Sequence, residues 1–130
     1  MILLDTSVLV DALTGPRRSA AALRHAIAQG ERVVLATIVL YEWLRGPRRA
    51  QELAAQEALF PRAAAIPFGP AEAARAAELY RGVRSARGRE IDLAIAACAM
   101  CHDARLWTLN VADFDDIAGL KLVKADARLP

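Results

Sequence analysis

The chain opens on a short, wholly apolar run that stops at an acid, Ile2-Leu3-Leu4-Asp5, followed by two hydroxyl residues, Thr6-Ser7. Three apolar residues in a row with no polar alternation describe a strand buried on both faces, the kind that parallel sheets contain. The hydroxyls then start a short helix through Leu13, stopped by Gly15-Pro16. The same alternation continues. A helix over 17–29, with Leu23 and Ile27 on one side, closes at Gly30, and Val33-Val34-Leu35 forms the next strand. Thr37 is an N-cap for a helix that carries Glu42 and ends near Gly46-Pro47, and a further helix spans 48–59. A weak strand follows at 64–68. Pro70 then starts a long amphipathic helix running toward Gly88, and a second helix from about Glu90 to Asp103 is apolar nearly all round. Short strands at 106–109 and 120–123 flank an acidic turn holding Asp113, Asp115 and Asp116. Strands alternating with helices predict an α/β three-layer sandwich, a central, mostly parallel twisted sheet flanked by helices.

With 130 residues, 55% of them hydrophobic, the chain is long enough for one well-filled core, and 1–130 is expected to be a single domain. The N-terminus has neither the basic region nor the apolar stretch of an export signal, and no run reaches the length of a membrane helix, so a cytoplasmic protein with no membrane association is expected. Seventeen basic residues oppose fifteen acidic ones, leaving +2. That excludes a surface committed as a whole to polyanion binding and requires any such site to be local. Only Lys121 and Lys124 are lysines, so phosphate contacts would be made by planar, bidentate arginines.

Three acids stand out. Asp5 ends a strand, where open parallel sheets place their ligands, although Asp is also a common helix N-cap. Glu42 sits among Ile38, Val39, Leu40, Trp43 and Leu44, and an ion pair with Arg45 is the ordinary alternative. Asp92, within Ile91-Asp92-Leu93-Ala94-Ile95, lies on a helix with no polar face, and a buried carboxylate needs a partner. Its alternative is first-turn placement beside Arg89, worth about 0.3–1 kcal/mol. Such acids brought together would repel one another unless a divalent cation neutralised them, and oxygen ligands suit magnesium or manganese. Arg45, Arg48 and Arg49 follow Glu42, and Arg81, Arg84, Arg87 and Arg89 precede Asp92, either as a phosphate-gripping rim or as solvated helix faces.

Cys98-Ala99-Met100-Cys101-His102 matches the C-x-x-C-H pattern of c-type haem attachment. It falls inside a helix in a chain without an export signal, so no haem is expected, and two Cys with two His are too few for a closed zinc site.

Taken in order, Leu3-Leu4-Asp5-Thr6-Ser7, Tyr41-Glu42, Glu90-Ile91-Asp92-Leu93-Ala94 and Thr108-Leu109-Asn110-Val111-Ala112-Asp113-Phe114 resemble the PIN-domain proteins, and more narrowly the VapC-type toxin ribonucleases of bacterial toxin–antitoxin pairs. The resemblance implies a PIN-like fold and a Mg2+-dependent ribonuclease, with Mn2+ as the alternative ion. It makes Asp5, Glu42 and Asp92 the site acids, with Asp5 and Asp92 on the metal and Thr6 and Thr108 supporting. Where relatives often carry Asp, this chain has Asn110, so either Asn110 ligates through its carbonyl or Asp113 acts as the further catalytic acid. Ser7 stands where Asn is frequent, and Leu109 where Arg is frequent. Arg45, Arg87 and Arg89 are the expected RNA contacts. The family also implies a homodimer and a small antitoxin partner. The competing expectation is a PIN-like module that binds RNA or a protein and cuts nothing. A nucleophilic-aspartate phosphotransfer fold lacks its second motif acid after Asp5, and no P-loop sequence occurs.

Overall fold

The computed structural model describes residues 1–124; residues 125–130 of the expected 1–130 domain lie outside the described residues. Strand β1 (Ile2–Leu4) is central and parallel to both neighbours, β2 (Val33–Val34) and β3 (Arg105–Trp107), in the order β2-β1-β3. Leu3 is opposite Val34 on one side and Leu106 on the other. Among the described residues six helices flank this sheet: α1 (Thr6–Leu13), α2 (Ala20–Ala28), α3 (Thr37–Arg45), α4 (Ala50–Leu59), α5 (Pro70–Gly82) and α6 (Glu90–Cys101). The α/β parallel architecture is the expected one. Leu3, Leu4, Leu9, Val39, Trp43, Ile95 and Leu106 form its fully buried centre. No helix among the described residues is long and apolar enough to cross a membrane.

Several boundaries differ from expectation for local reasons. The segments 64–68 and 120–123 are not strands but single parallel bridges, Ile66 to Ala36 and Leu122 to Leu106. Ala-rich 63–65 favours the 3-10 turn found at Arg62–Ala64, and Pro67 has no N–H to continue a ladder. Helix α2 starts at Ala20 rather than 17 because Arg17 is in the left-handed region, φ 55°. Ala36, extended with ψ 154°, is the residue before α3, so Thr37 is its first helical residue and not its cap; the Thr37 hydroxyl accepts instead from the Phe68 N–H at 3.2 Å. Helix α4 begins at Ala50, after the extended Arg49, with the Glu52 carboxylate accepting the Arg49 N–H at 2.8 Å. Helix α5 stops at Gly82, well short of Gly88, since Val83 is extended and Ser85 and Gly88 both have positive φ. Helix α6 stops at Cys101, before Asp103, which has φ 51°.

Helices α5 and α6 lie antiparallel, joined at one end by Glu72 and His102, whose Oε2 and Nε2 are 2.9 Å apart. Glu72 also accepts the Gly69 N–H at 3.0 Å. Hydrogen bonds from its own backbone N–H, from His102 and from Gly69 hold its carboxyl below the usual range, against the opposing effect of burial. A depressed folded-state pKa contributes stability that is present above the ordinary carboxyl pKa and lost as pH falls through the folded value. Thermal melts from pH 7 down to 3 are therefore expected to show a steeper acid loss for the parent chain than for Glu72→Gln. Parallel curves would remove Glu72 from the acid transition.

Candidate active site

Asp5 leaves β1 at its C-terminal end and occupies the backbone position of an N-cap, yet its side chain does not cap α1. It is buried, and its Oδ2 accepts the Thr108 hydroxyl at 2.7 Å and the Ser7 hydroxyl at 2.8 Å. Those two oxygens in turn accept the N–H groups of Asn110 (2.9 Å) and Leu109 (3.0 Å). Each hydroxyl has a single proton, given to the carboxylate, so Asp5 is held as an acceptor by Thr108 just after β3 and by Ser7 in the first turn of α1. Its Oδ1 takes no hydrogen bond among the described residues.

Glu42 on α3 meets Thr6, whose hydroxyl donates to Oε1 at 2.6 Å across 36 residues of sequence. Its other oxygen faces Arg45 at 3.4 Å, a long contact whose guanidinium also lies 5.2 Å from the Tyr41 ring centre. The expected ion pair with Arg45 is thus present, and it leaves the Thr6 bond intact. Tyr41 is exposed, while Trp43 and Trp107 are core residues.

Asp92 is the third residue of α6. The expectation of burial on every side is corrected: Leu93 to Ala99 form the buried run, and Asp92 is half-buried, facing the cleft shared with Asp5 and Glu42. It makes no hydrogen bond among the described residues. Burial, then the charges of Asp5, Asp113 and Glu42, push its carboxyl up to about 6, and Arg89 opposes them only in part.

The cleft has a volume of about 440 Å³ and is lined by Asp5, Thr6, Ser7, Asp11, Glu42, Asp92, Leu109 and Asn110, among others, with no Lys or Arg in its lining. Asp11 was missed at the sequence level. Its signal is the polar series Ser7, Asp11, Thr14, spaced i, i+4, i+7 on the otherwise apolar α1. The buried Ser19 hydroxyl donates to Asp11 Oδ2 at 2.6 Å and fixes it there. Asn110 lines the cleft, whereas Asp113 sits exposed in the 3-10 turn Val111–Asp113, outside the lining but within Coulombic reach of Asp92.

Of the three expected RNA contacts, Arg87 is exposed and has no carboxylate partner among the described residues. Arg45 is held by Glu42. Arg89 is not free on a rim: its fork donates to both Asp116 oxygens at 2.7 and 2.9 Å, to the Asp113 carbonyl at 3.0 Å and to the Arg84 carbonyl at 3.3 Å. A guanidinium spent on four oxygens within the chain has little left for a phosphate.

The donor set of the cleft is all oxygen, and Asp5 Oδ1 and both Asp92 oxygens lack partners while repelling one another. Such a set fits a hard divalent cation by its chemistry. As the side chains stand, no three His, Cys, Asp or Glu residues among those described are close enough together to enclose an ion. The C-x-x-C-H residues lie elsewhere, at the end of α6. Cys98 is buried, with its thiol pushed up to about 12 chiefly by burial, and His102 is paired to Glu72.

Comparison with known proteins agrees with this geometry. The family model for the PIN domain matches residues 2–120. Ribonuclease VapC19 of Mycobacterium tuberculosis is 38% identical over 116 residues, covering 88% of this chain and 92% of that protein. The toxin-antitoxin complex from Klebsiella pneumoniae superposes with a TM-score of 0.69 at 26% identity, covering 92% of this chain and 95% of the other. DNA-bound VapBC from Salmonella typhimurium gives a TM-score of 0.72 over 94% and 96% of the two chains, and its 21% identity speaks to the fold alone. With a strand-end aspartate, a helix-borne glutamate and a helix-start aspartate on one cleft, and the family model matching from β1 to beyond β3, the chain belongs to the PIN-domain family.

Proposed function

We propose that this chain is the ribonuclease toxin of a toxin–antitoxin pair, an endonuclease that hydrolyses RNA phosphodiesters at the carboxylate cleft and leaves 5'-phosphate and 3'-hydroxyl ends. The observation that carries the reading is the meeting of Asp5, Glu42 and Asp92 on one cleft, where burial first, and then the charges of Asp5, Asp113 and Glu42, raise the Asp92 carboxyl to about 6. The likeness to a ribonuclease over nearly its whole length supports it. The likeness to a toxin-antitoxin complex supports a small antitoxin as partner. The reading further takes the chain to be a single cytoplasmic domain that works as a homodimer.

In this reading Asp5 and Asp92 hold magnesium or manganese, and Glu42 completes the acidic set. The ion supplies, when bound, the positive charge that activates water and offsets charge on the transition-state oxygens. Thr108 and Ser7 hold the Asp5 side chain in its orientation, and Thr6 does the same for Glu42. Asp92, or Asp113 from the neighbouring turn, orients the attacking water, while Asn110 offers a neutral carbonyl at the cleft wall. Arg45 and Arg87 contact the RNA from outside the cleft.

One observation favours a second reading, a PIN-like module that binds without cutting: Asn110 stands where relatives often carry an acid, which lowers the charge available for an ion. Cleavage of a structured RNA mixture separates the two. The nuclease reading expects cleavage with magnesium or manganese, none with chelator and none from Asp92→Asn. Thr108→Ala, which loses the bond orienting Asp5, is expected to lower activity or metal affinity by about 10–100-fold. Equal traces in every lane would leave the binding module.

Stability gives an independent measure of the same site. A carboxyl whose folded-state pKa is raised destabilises the fold above that value and is neutral below its unfolded value near 3.8. Asp92→Asn is therefore expected to melt higher than the parent chain at pH 7.5, by about 1–2 kcal/mol once solvent screening is allowed for, or a few degrees. The gain should fade between pH 6 and 4. Adding magnesium or manganese should raise the melting temperature of the parent and leave the variant unmoved. A parent chain indifferent to both ions would remove the metal from the cleft.

A further inference from the structure

The cleft is an unwelcoming place for a polyanion. Its lining contains Asp5, Asp11, Glu42 and Asp92 and no basic side chain, and the whole chain carries only +2. A cation between the acids would offset charge only at the phosphate beside it. Neighbouring phosphates need basic groups within about a Debye length, roughly 8–10 Å at ordinary salt.

The segment between α5 and α6, which leads into the helix start that carries Asp92, offers basic groups. Arg81 at the end of α5, and Arg84 and Arg87 beyond it, are exposed. None has a carboxylate within salt-bridge distance among the described residues, whereas Arg45, Arg75, Arg89 and Arg105 are each paired. The segment is also held in shape. Ala86 is buried, the Arg89 N–H bonds the Ala86 carbonyl at 2.9 Å, and the Arg89 side chain bonds the Arg84 carbonyl. Through Asp116 and the Asp113 carbonyl, the same side chain ties the segment to the turn that follows Asn110. Asp92 is three residues past Arg89, within one helical turn of about 5.4 Å.

We infer that the α5–α6 segment, through Arg84 and Arg87 with Arg81 behind them, is the surface that receives the RNA backbone as it enters the carboxylate cleft, and that Arg89 is a positioning residue that holds this segment to the cleft mouth. The inference rests on the ribonuclease reading. RNA is favoured over an acidic protein because the surface adjoins the cleft assigned to phosphodiester hydrolysis, and its bidentate guanidinium groups match phosphate oxygens.

The test uses the full chain carrying Asp92→Asn, so that RNA stays uncut, and a short fluorescently labelled single-stranded RNA of mixed sequence. Affinity is measured across a range of salt for Arg84→Gln/Arg87→Gln. Two other doubles serve as charge-matched comparisons: Arg24→Gln/Arg32→Gln, and Arg17→Gln/Arg18→Gln, next in sequence to Gly15 and Pro16 of the cleft lining. Each phosphate contact to a single strand contributes about 0.7 to the slope of log affinity against log salt, so losing two should flatten it by about 1.4. A fourfold rise in salt would then cost the uncut parent about sevenfold more affinity than the Arg84/Arg87 variant. Arg24→Gln/Arg32→Gln should keep the parent slope. Arg89→Lys, which keeps the charge and loses the fork, should raise KM for cleavage in the active chain, and Asp116→Asn should do the same although Asp116 is itself an anion. An unchanged slope in the Arg84/Arg87 variant, or one that flattens only in the Arg17/Arg18 variant, overturns the inference while metal-dependent cleavage by the parent keeps the ribonuclease reading. A parent that neither binds nor cuts RNA sinks both. A loop variant that binds RNA as the parent does but loses affinity for polyglutamate reassigns the surface to an acidic protein and overturns the inference as well.

Discussion

The N–H of Asp5 donates to the carbonyl of Trp107 at 2.8 Å, and the hydroxyl of Thr108 donates to the side chain of the same Asp5 at 2.7 Å. Backbone and side chain thereby close one junction, where the central strand meets its neighbour at their common C-terminal end. A strand of three residues has little to hold it by itself. β1 holds because both its edges are paired in parallel and all three of its side chains are buried. A slip of one residue would turn Leu3 from one face of the sheet to the other and carry Asp5 away from Thr108. The register of the core and the aim of the first site acid are therefore one constraint.

Much of the arrangement could be read from local pattern. Asp5 at the end of an apolar triplet and Asp92 at the start of an apolar helix both stand out in the sequence, and both line the cleft. The limits of that reading lie in contacts distant in sequence. Glu42 reaches the cleft because α1 and α3 pack together and Thr6 bonds it across 36 residues, which no spacing rule encodes. Arg89 invites reading as a phosphate contact until Asp116, 27 residues further on, takes up its fork. Asp11 went unnoticed for the opposite reason. Its signal was local, a polar stripe along α1, but a polar stripe on a short helix is what a solvated face also looks like.

Segments 64–68 and 120–123 illustrate how marginal sheet edges escape sequence reading. Both have the hydrophobicity of strands and both are positioned against strand ends, yet each makes only one bridge. At the first, Pro67 removes a donor immediately after Ile66. At the second, the Leu106 N–H donates to the Lys121 carbonyl and the Val123 N–H to the Leu106 carbonyl, so that pairing is confined to the turn of chain around Leu122. Propensity measures fit to a pleated surface, and at an edge there is little surface to fit.

Two opposing electrostatic effects meet at Asp92. As a first-turn residue of α6 it gains about 0.3–1 kcal/mol from the helix dipole, and Arg89 adds to that gain. Against this stands a carboxyl raised from 3.8 to about 6, roughly 3 kcal/mol of disfavour toward the charged form before solvent screening. Even discounted by half, that disfavour, of which burial is the largest cause, offsets the dipole's contribution. Its neighbour Glu90, exposed in the same first turn, would serve the dipole without the repulsion of Asp5, Asp113 and Glu42. In the proposed function a divalent cation would offset both the burial of the Asp92 carboxylate and its repulsion by the neighbouring acids. The proposed function gives the charge distribution a single account: the acids inside the cleft would hold the ion, and the exposed arginines of the α5–α6 segment, unpaired among the described residues, would meet the phosphates that approach it.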